Sequence, residues 1–104
     1  ALPEAQFCIS PLVELECLIG PRKLADTGLQ AQYEQFFADL CRLHMPDEVY
    51  RMAARLRAAC NLRTPDAIHL AVAQQNGCTQ LWTNDDRLTK AAPALAVNIN
   101  RPAT

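Results

Sequence analysis

The sequence predicts an α/β domain with a small, mainly parallel sheet flanked by helices. Short apolar runs with the length of strands alternate with longer segments of helical periodicity, in the order strand, helix, helical pair, helix, strand, short helix, strand. Half of the 104 residues are apolar, which is enough for one small core. We therefore expect a single domain over residues 1–104.

The first half of the chain is predicted to contain one strand and two helices. Residues 6–9 form a short apolar run, and Ser10 is suited to cap a helix that starts at the following proline. The pair Gly20-Pro21 is expected to end this helix. After a loop, aromatic residues and leucines at helical spacing predict a second helix over residues 29–43.

The second half begins with a helix over residues 47–60, where apolar residues again recur every three or four positions. Thr64 is a good N-cap and Pro65 fits the first helical position, so another helix is expected from here to Gly77. The remaining segments are predicted as a strand, a short helix and a strand, at residues 80–83, 86–91 and 96–99.

The charge balance gives no sign of a basic protein. Ten Lys and Arg residues face eleven Asp and Glu residues, so the net charge is −1 and a polyanion could be met only by a local patch. The candidates for such a patch are Arg51, Arg55, Arg57, Arg63 and Arg87. The alternative is that these arginines form the solvated side of amphipathic helices.

The cysteines and the absence of long apolar runs indicate a cytoplasmic protein. The five cysteines are odd in number and widely spaced, as expected for small buried apolar residues in a reducing compartment. No run of about eighteen apolar residues is present, so no membrane association is expected. The first residue is Ala rather than Met, which indicates a missing N-terminal piece.

Acidic residues are predicted to meet at one edge of the sheet. Asp66 lies in the first turn of its helix, and the strand that returns after this helix should bring Asn84, Asp85 and Asp86 back beside it. In open α/β sheets, ligands bind outside the carboxyl ends of the strands, beside helix N-termini. Each residue also has a plainer interpretation, since Asp66 could simply favour the helix dipole and residues 84–86 could form an ordinary turn.

A third carboxylate is expected from the first helix. Glu14 and Glu16 are two residues apart, about 200° around a helix, so only one of them can face inward. If Leu12, Leu15 and Ile19 form the buried stripe, Glu16 flanks it and Glu14 points away. We therefore select Glu16, although a solvated helix residue is the simpler alternative.

Carboxylates that converge in this way need a cation. Two of them at about 4 Å repel by roughly 4 kcal/mol at an effective dielectric near 20. Oxygen-only ligands suit Mg²⁺ or Mn²⁺, which keep several waters and bind substrate phosphates. The predicted chemistry is therefore phosphodiester hydrolysis by a metal-activated water.

Three segments resemble the PIN domain family, the small metal-dependent nucleases that include the VapC-type toxins of bacterial toxin–antitoxin pairs. Thr-Pro-Asp-Ala-Ile-His-Leu-Ala at 64–71 is similar to the family's Pro-Asp-Ala-x-His-x-Ala helix start, and Leu-Trp-Thr-Asn-Asp-Asp-Arg-Leu at 81–88 is similar to its Thr-x-Asp strand end. Ile-Ser-Pro-Leu-Val-Glu-Leu-Glu at 9–16 resembles the segment that ends in the family's helical glutamate.

The resemblance implies that Glu16, Asp66 and Asp85 are catalytic, metal-binding acids and that Asp86 is an outer contributor. It also implies endoribonuclease activity with Mg²⁺ or Mn²⁺, an RNA substrate, homodimerisation, and a cognate antitoxin that covers the active site.

One departure from the family pattern is large. The family opens with an apolar strand that is central in the sheet and ends in a metal-binding aspartate, and nothing before Phe7 has this pattern. The chain is therefore expected to be an N-terminally truncated domain that keeps three of four acids. Two rivals remain open: a non-catalytic PIN-like module that binds RNA or protein, and a phosphotransfer enzyme with an aspartyl nucleophile.

Overall fold

The computed structural model of the protein describes residues 7–83 and 86–99 and divides the chain into two compact units, residues 1–44 and 45–104. Each unit combines helices with one pair of parallel strands. This arrangement confirms the predicted α/β class and the parallel strand direction. The single domain over the whole chain stays a prediction.

The first unit contains two helices and two short strands, in the order β1 (Cys8–Ile9), α1 (Pro11–Lys23), α2 (Thr27–Ala38) and β2 (Cys41–Arg42). β1 and β2 pair in parallel, with Cys8 opposite Cys41. The Cys41 amide donates to the carbonyl of Phe7 at 3.1 Å, and the Leu43 amide donates to that of Ile9 at 2.9 Å.

The helix predicted over residues 29–43 is wrong at both ends. It begins at Thr27, where the Asp26 side chain caps it by accepting the Leu29 amide at 2.9 Å, and it ends at Ala38. The residues that follow form β2, which the sequence did not predict. Leu40 and Leu43 continue the helical spacing of apolar residues. The backbone hydrogen bonds to β1 nevertheless make this segment a strand, because the apolar pattern of one segment does not show which distant segment it pairs with.

The prediction that Gly20-Pro21 ends α1 is also wrong. Pro21 lies inside the helix, which continues to Lys23, and its ring is buried. A proline this close to a helix end removes one backbone bond but leaves its own carbonyl usable. Here the Asp26 amide donates to the Pro21 carbonyl at 2.9 Å, and the Leu24 amide donates to the Gly20 carbonyl at 3.1 Å.

Ser10 is confirmed as the cap of α1. Its hydroxyl oxygen accepts the Val13 amide at 3.2 Å, and the residue is buried. We expect Ser10→Ala to lower the free energy of unfolding by about 1 kcal/mol, because a backbone amide of the first turn then loses its acceptor. Urea unfolding followed by helical circular dichroism measures this change. Gln32→Ala on the exposed side of α2 is the control, and equal losses in both variants would contradict the capping role.

The second unit contains three helices and two strands: α3 (Asp47–Cys60), α4 (Thr64–Gln75), β3 (Leu81–Thr83), α5 (Asp86–Ala91) and β4 (Ala96–Asn98). β3 and β4 pair in parallel, with Leu81 opposite Ala96 and Thr83 opposite Asn98. α3 packs against α4, and the core of the unit is built mainly on these two helices. Its most deeply buried large side chains are those of Leu70, Val49 and Val72.

The start of α4 differs slightly from the prediction. The helix begins at Thr64 itself, and Arg63 occupies the cap position without a side-chain hydrogen bond to the helix. Pro65 lies in the first turn, where its missing N–H costs nothing. After the helix ends at Gln75, Gly77 has a φ of 68°, a conformation that glycine adopts without strain. Asp66 therefore lies in the first turn of α4, as predicted.

No helix within residues 7–83 and 86–99 is long and apolar enough to cross a membrane.

Candidate functional site

Asp66 is a buried carboxylate at the N-terminus of α4. The residue is only 9% exposed, and the Arg63 Nε donates to its Oδ2 at 3.0 Å. The Arg63 side chain is largely exposed, whereas that of Asp66 is mostly buried. The two residues are three apart in the sequence, so the ion pair is local to the start of α4. The positive end of the helix dipole also favours a negative charge at this position. The sequence predicted the position of Asp66 but not its pairing with Arg63.

Asp86 is the first residue of α5 and is half-buried. Its Oδ1 accepts a hydrogen bond from Asn98 Nδ2 at 2.9 Å. Because Asn98 is the last residue of β4, this bond ties the start of α5 to the end of a strand. Sequence reasoning missed Asn98, although a polar residue near the end of a predicted apolar strand was an available sign.

The other acid predicted on this edge, Asp85, lies outside the described residues, as does Asn84. The predicted convergence of Asp85 with Asp66 therefore stays a prediction.

The buried stripe that was used to choose between the two glutamates of α1 is wrong. Leu15 is 57% exposed and Ile19 is 46% exposed. The reason is that Glu14, not Leu15, lies on the covered face of α1, where Arg42 Nη2 binds Glu14 Oε2 at 2.9 Å. Glu16 is exposed. The metal-binding role of Glu16 is not tested by this exposure and stays a prediction.

The cysteines are free thiols, but the expectation that they are buried is wrong. Cys8 and Cys60 are exposed, and the other three are half-buried. Burial raises the pKa of the Cys17 thiol above its usual value, and the neighbouring negative charge of Glu16 raises it further. A thiol in this environment is held protonated and is a poor nucleophile.

Four cations line one groove of the second unit, with a volume of about 880 Å³. They are Arg57 of α3, Arg63 before α4, and Arg87 and Lys90 of α5, and we call this feature the basic groove. The arginine patch predicted from the sequence therefore forms only in part. Arg51 and Arg55 are not among the lining residues, and Arg51 instead pairs with Glu48.

The two described acids of the predicted edge, Asp66 and Asp86, have the chemistry that a hard divalent cation prefers. Asp66 and Asp86 offer only carboxylate oxygens, and the Asp66 side chain is mostly buried. Within residues 7–83 and 86–99, no three His, Cys, Asp or Glu side chains form a group that could hold a metal ion. A complete metal centre would therefore need a further donor.

The parallel strand pairs and the acid at the start of α4 are consistent with the PIN domain family that the sequence motifs resemble. The model of the PIN domain family matches residues 1–93, and the chain belongs to this family. The resemblance found in the sequence is thus confirmed.

The chain is also similar to two curated proteins, each named Ribonuclease VapC35, from Mycobacterium tuberculosis strains CDC 1551 / Oshkosh and ATCC 25618 / H37Rv. Each is 37% identical to this chain over 103 residues, an alignment that covers 95% of the chain and 75% of the relative. No solved structure gives a significant match.

Proposed function

We propose that the protein is a metal-dependent endoribonuclease and the toxin of a type II toxin–antitoxin pair. The observation that carries the proposal is the buried carboxylate of Asp66, which stands in the first turn of α4 within the family's Pro-Asp-Ala motif. Membership of the PIN domain family supports a nuclease, and the relatives named Ribonuclease VapC35 support RNA as the substrate.

Glu16, Asp66 and Asp85 are the proposed metal ligands and catalytic acids, with Asp86 as an outer contributor. A bound Mg²⁺ or Mn²⁺ would neutralise charge at the scissile phosphate and lower the pKa of an attacking water. The chain's own residues orient these acids. Arg63 holds the Asp66 carboxylate at 3.0 Å, and Asn98 holds that of Asp86 at 2.9 Å.

The proposal includes a cognate antitoxin and a homodimer in the cytoplasm. Several large apolar side chains are exposed, and a protein-binding surface requires such side chains to form a contiguous patch. Phe36 and Leu24 are exposed in the first unit, and Trp82 and Ile99 in the second. These side chains are the first candidates for contacts with a second copy or with the antitoxin.

Metal removal tests the proposed reaction. We expect EDTA to slow RNA cleavage roughly 100-fold or more, since a bound metal contributes several kcal/mol to the transition state and about 1.4 kcal/mol corresponds to tenfold in rate. Adding Mg²⁺ or Mn²⁺ should restore the rate. The measurement follows cleavage of an end-labelled RNA by the protein expressed from its complete reading frame.

The outcome separates the rival functions. If the protein binds RNA but does not cleave it with any divalent metal ion tested, the result favours the non-catalytic module. The proposed ribonuclease activity is then rejected. Cleavage that EDTA leaves unchanged would overturn the metal dependence. A phosphorylated Asp85 trapped during turnover of a phosphate ester would favour the phosphotransfer enzyme.

A further inference from the structure

The basic groove concentrates positive charge in a chain whose net charge is −1. Four of its lining residues are cationic, and no residue of 7–83 or 86–99 that lines it is acidic. Among the described residues, no carboxylate pairs with Arg57 or with Lys90. The groove therefore presents the kind of local patch that a polyanion requires when the protein as a whole offers no basic field.

Two of the guanidinium groups are positioned by hydrogen bonds. Arg57 Nε donates to the carbonyl of Leu62 at 3.2 Å, and Arg63 Nε donates to Asp66 at 3.0 Å. Each bond uses the Nε of its arginine, and a guanidinium has further N–H donors that can meet phosphate oxygens. Arg87 and Lys90 are three residues apart on α5, so their side chains lie on the same face of that helix.

The size and composition of the groove favour a nucleic-acid backbone over a small anion. Its volume of about 880 Å³ lies near the top of the range of roughly 300–1,000 Å³ for pockets that hold whole small molecules, so more than one phosphodiester unit fits. None of the described residues that line it is aromatic, so these residues offer no stacking surface that would bind the bases by their faces. Contacts to phosphates position a strand but carry no sequence information.

We propose that the basic groove binds the sugar–phosphate backbone of RNA and positions the strand beside Asp66. This inference rests on the proposed function, because Arg63 contacts Asp66 and also lines the groove, so a strand in the groove adjoins the proposed metal site. Arg57 and Lys90 are then positioning residues. They hold flanking phosphates without touching the reacting atoms, and the choice of RNA target is made elsewhere.

Binding without cleavage tests the groove independently of catalysis. The probe is a fluorescein-labelled single-stranded oligoribonucleotide, titrated in EDTA at several salt concentrations with the protein from its complete reading frame. We expect Arg57→Gln with Lys90→Gln to weaken binding roughly tenfold at low salt. The slope of log affinity against log salt should fall by about 1.4, because each phosphate contact on a single strand contributes about 0.7. Oligomers rich in U and rich in A should respond alike.

The chain offers a matched control. Arg55 is exposed on the same helix as Arg57 but lies outside the groove, and Lys23 lies in the last turn of α1 as Lys90 lies in the last turn of α5. Arg55→Gln with Lys23→Gln removes the same charge and should change affinity less than about twofold. Lys90→Gln alone should lower the slope by about 0.7, and it leaves the bond between Arg57 and Leu62 intact.

Three results would overturn the proposal: unchanged affinity and slope in the groove variants, an equal loss in the control variant, or displacement of RNA by polyglutamate as effective as by unlabelled RNA. Displacement by polyglutamate would indicate that the groove binds acidic proteins instead of RNA. In cleavage assays the groove variants should raise KM and leave kcat near its original value. If the unmodified protein binds RNA in EDTA but shows no metal-dependent cleavage, the proposed nuclease activity is rejected. The proposal that the basic groove binds RNA is then retained.

Discussion

Replacing Asp66 with asparagine should reduce kcat/KM for RNA cleavage at least about 100-fold while the protein stays folded. Asparagine keeps the size of the side chain and one oxygen that can accept from Arg63, but it removes the negative charge proposed to bind the metal. The substitution removes charge stabilisation of the transition state, so most of the decrease in kcat/KM should come from a lower kcat. Cleavage rates of labelled RNA and thermal unfolding of the same samples measure the two effects.

Asp47 provides the control for this substitution. It is an exposed acid in the first turn of α3, so Asp47→Asn removes the same charge from the first turn of another helix. We expect Asp47→Asn to keep the activity, with a stability loss below about 1 kcal/mol from the helix dipole. Full activity in Asp66→Asn would reject the metal-binding role. Unfolding of Asp66→Asn would assign the carboxylate a structural role with Arg63.

The second large effect is expected in the core of the second unit. Leu70 is 1% exposed on α4, the helix that packs against α3. Leu70→Ala should lower the free energy of unfolding by about 2–5 kcal/mol, because it removes buried apolar surface and leaves a cavity. A small domain has only about 5–15 kcal/mol in total, so the variant should unfold at much lower denaturant concentration.

Trp82 is the single tryptophan and lies on β3 of the same unit, so its fluorescence can follow this unfolding. Gln74→Ala, on an exposed position of α4, is the control and should change stability by less than about 0.5 kcal/mol. A loss below about 1 kcal/mol for Leu70→Ala would contradict the burial of this side chain.

The sequence predicted elements well where their cause is local. The bounds of α3 match the predicted residues 47–60, because an amphipathic repeat and an acidic first turn specify this helix within its own segment. β2 was missed because its cause is the pairing of Cys41 with Cys8, a residue from the other end of the unit. The buried stripe on α1 failed for a related reason, since periodicity describes a helix face and does not say which face is covered.

The same division applies to the site. Asp66 was found because a proline and an acid at a helix start form a local motif. Its partner Arg63 and the partner Asn98 of Asp86 were missed, because spacing predicts positions and not side-chain contacts. The basic groove brings together cations from three segments, and Lys90 entered it only through the folded structure.

The parallel direction of both strand pairs has a consequence for how the chain acquires its structure. β1 reaches β2 only through α1 and α2, and β3 reaches β4 through α5, so neither pair can close as a local turn. Closing such a connection costs chain entropy, and a strand of two or three residues returns few backbone bonds. We therefore expect the helices to dock before the strands join. On this reasoning, we expect both strand pairs to form late in folding and to open early when the protein is destabilised.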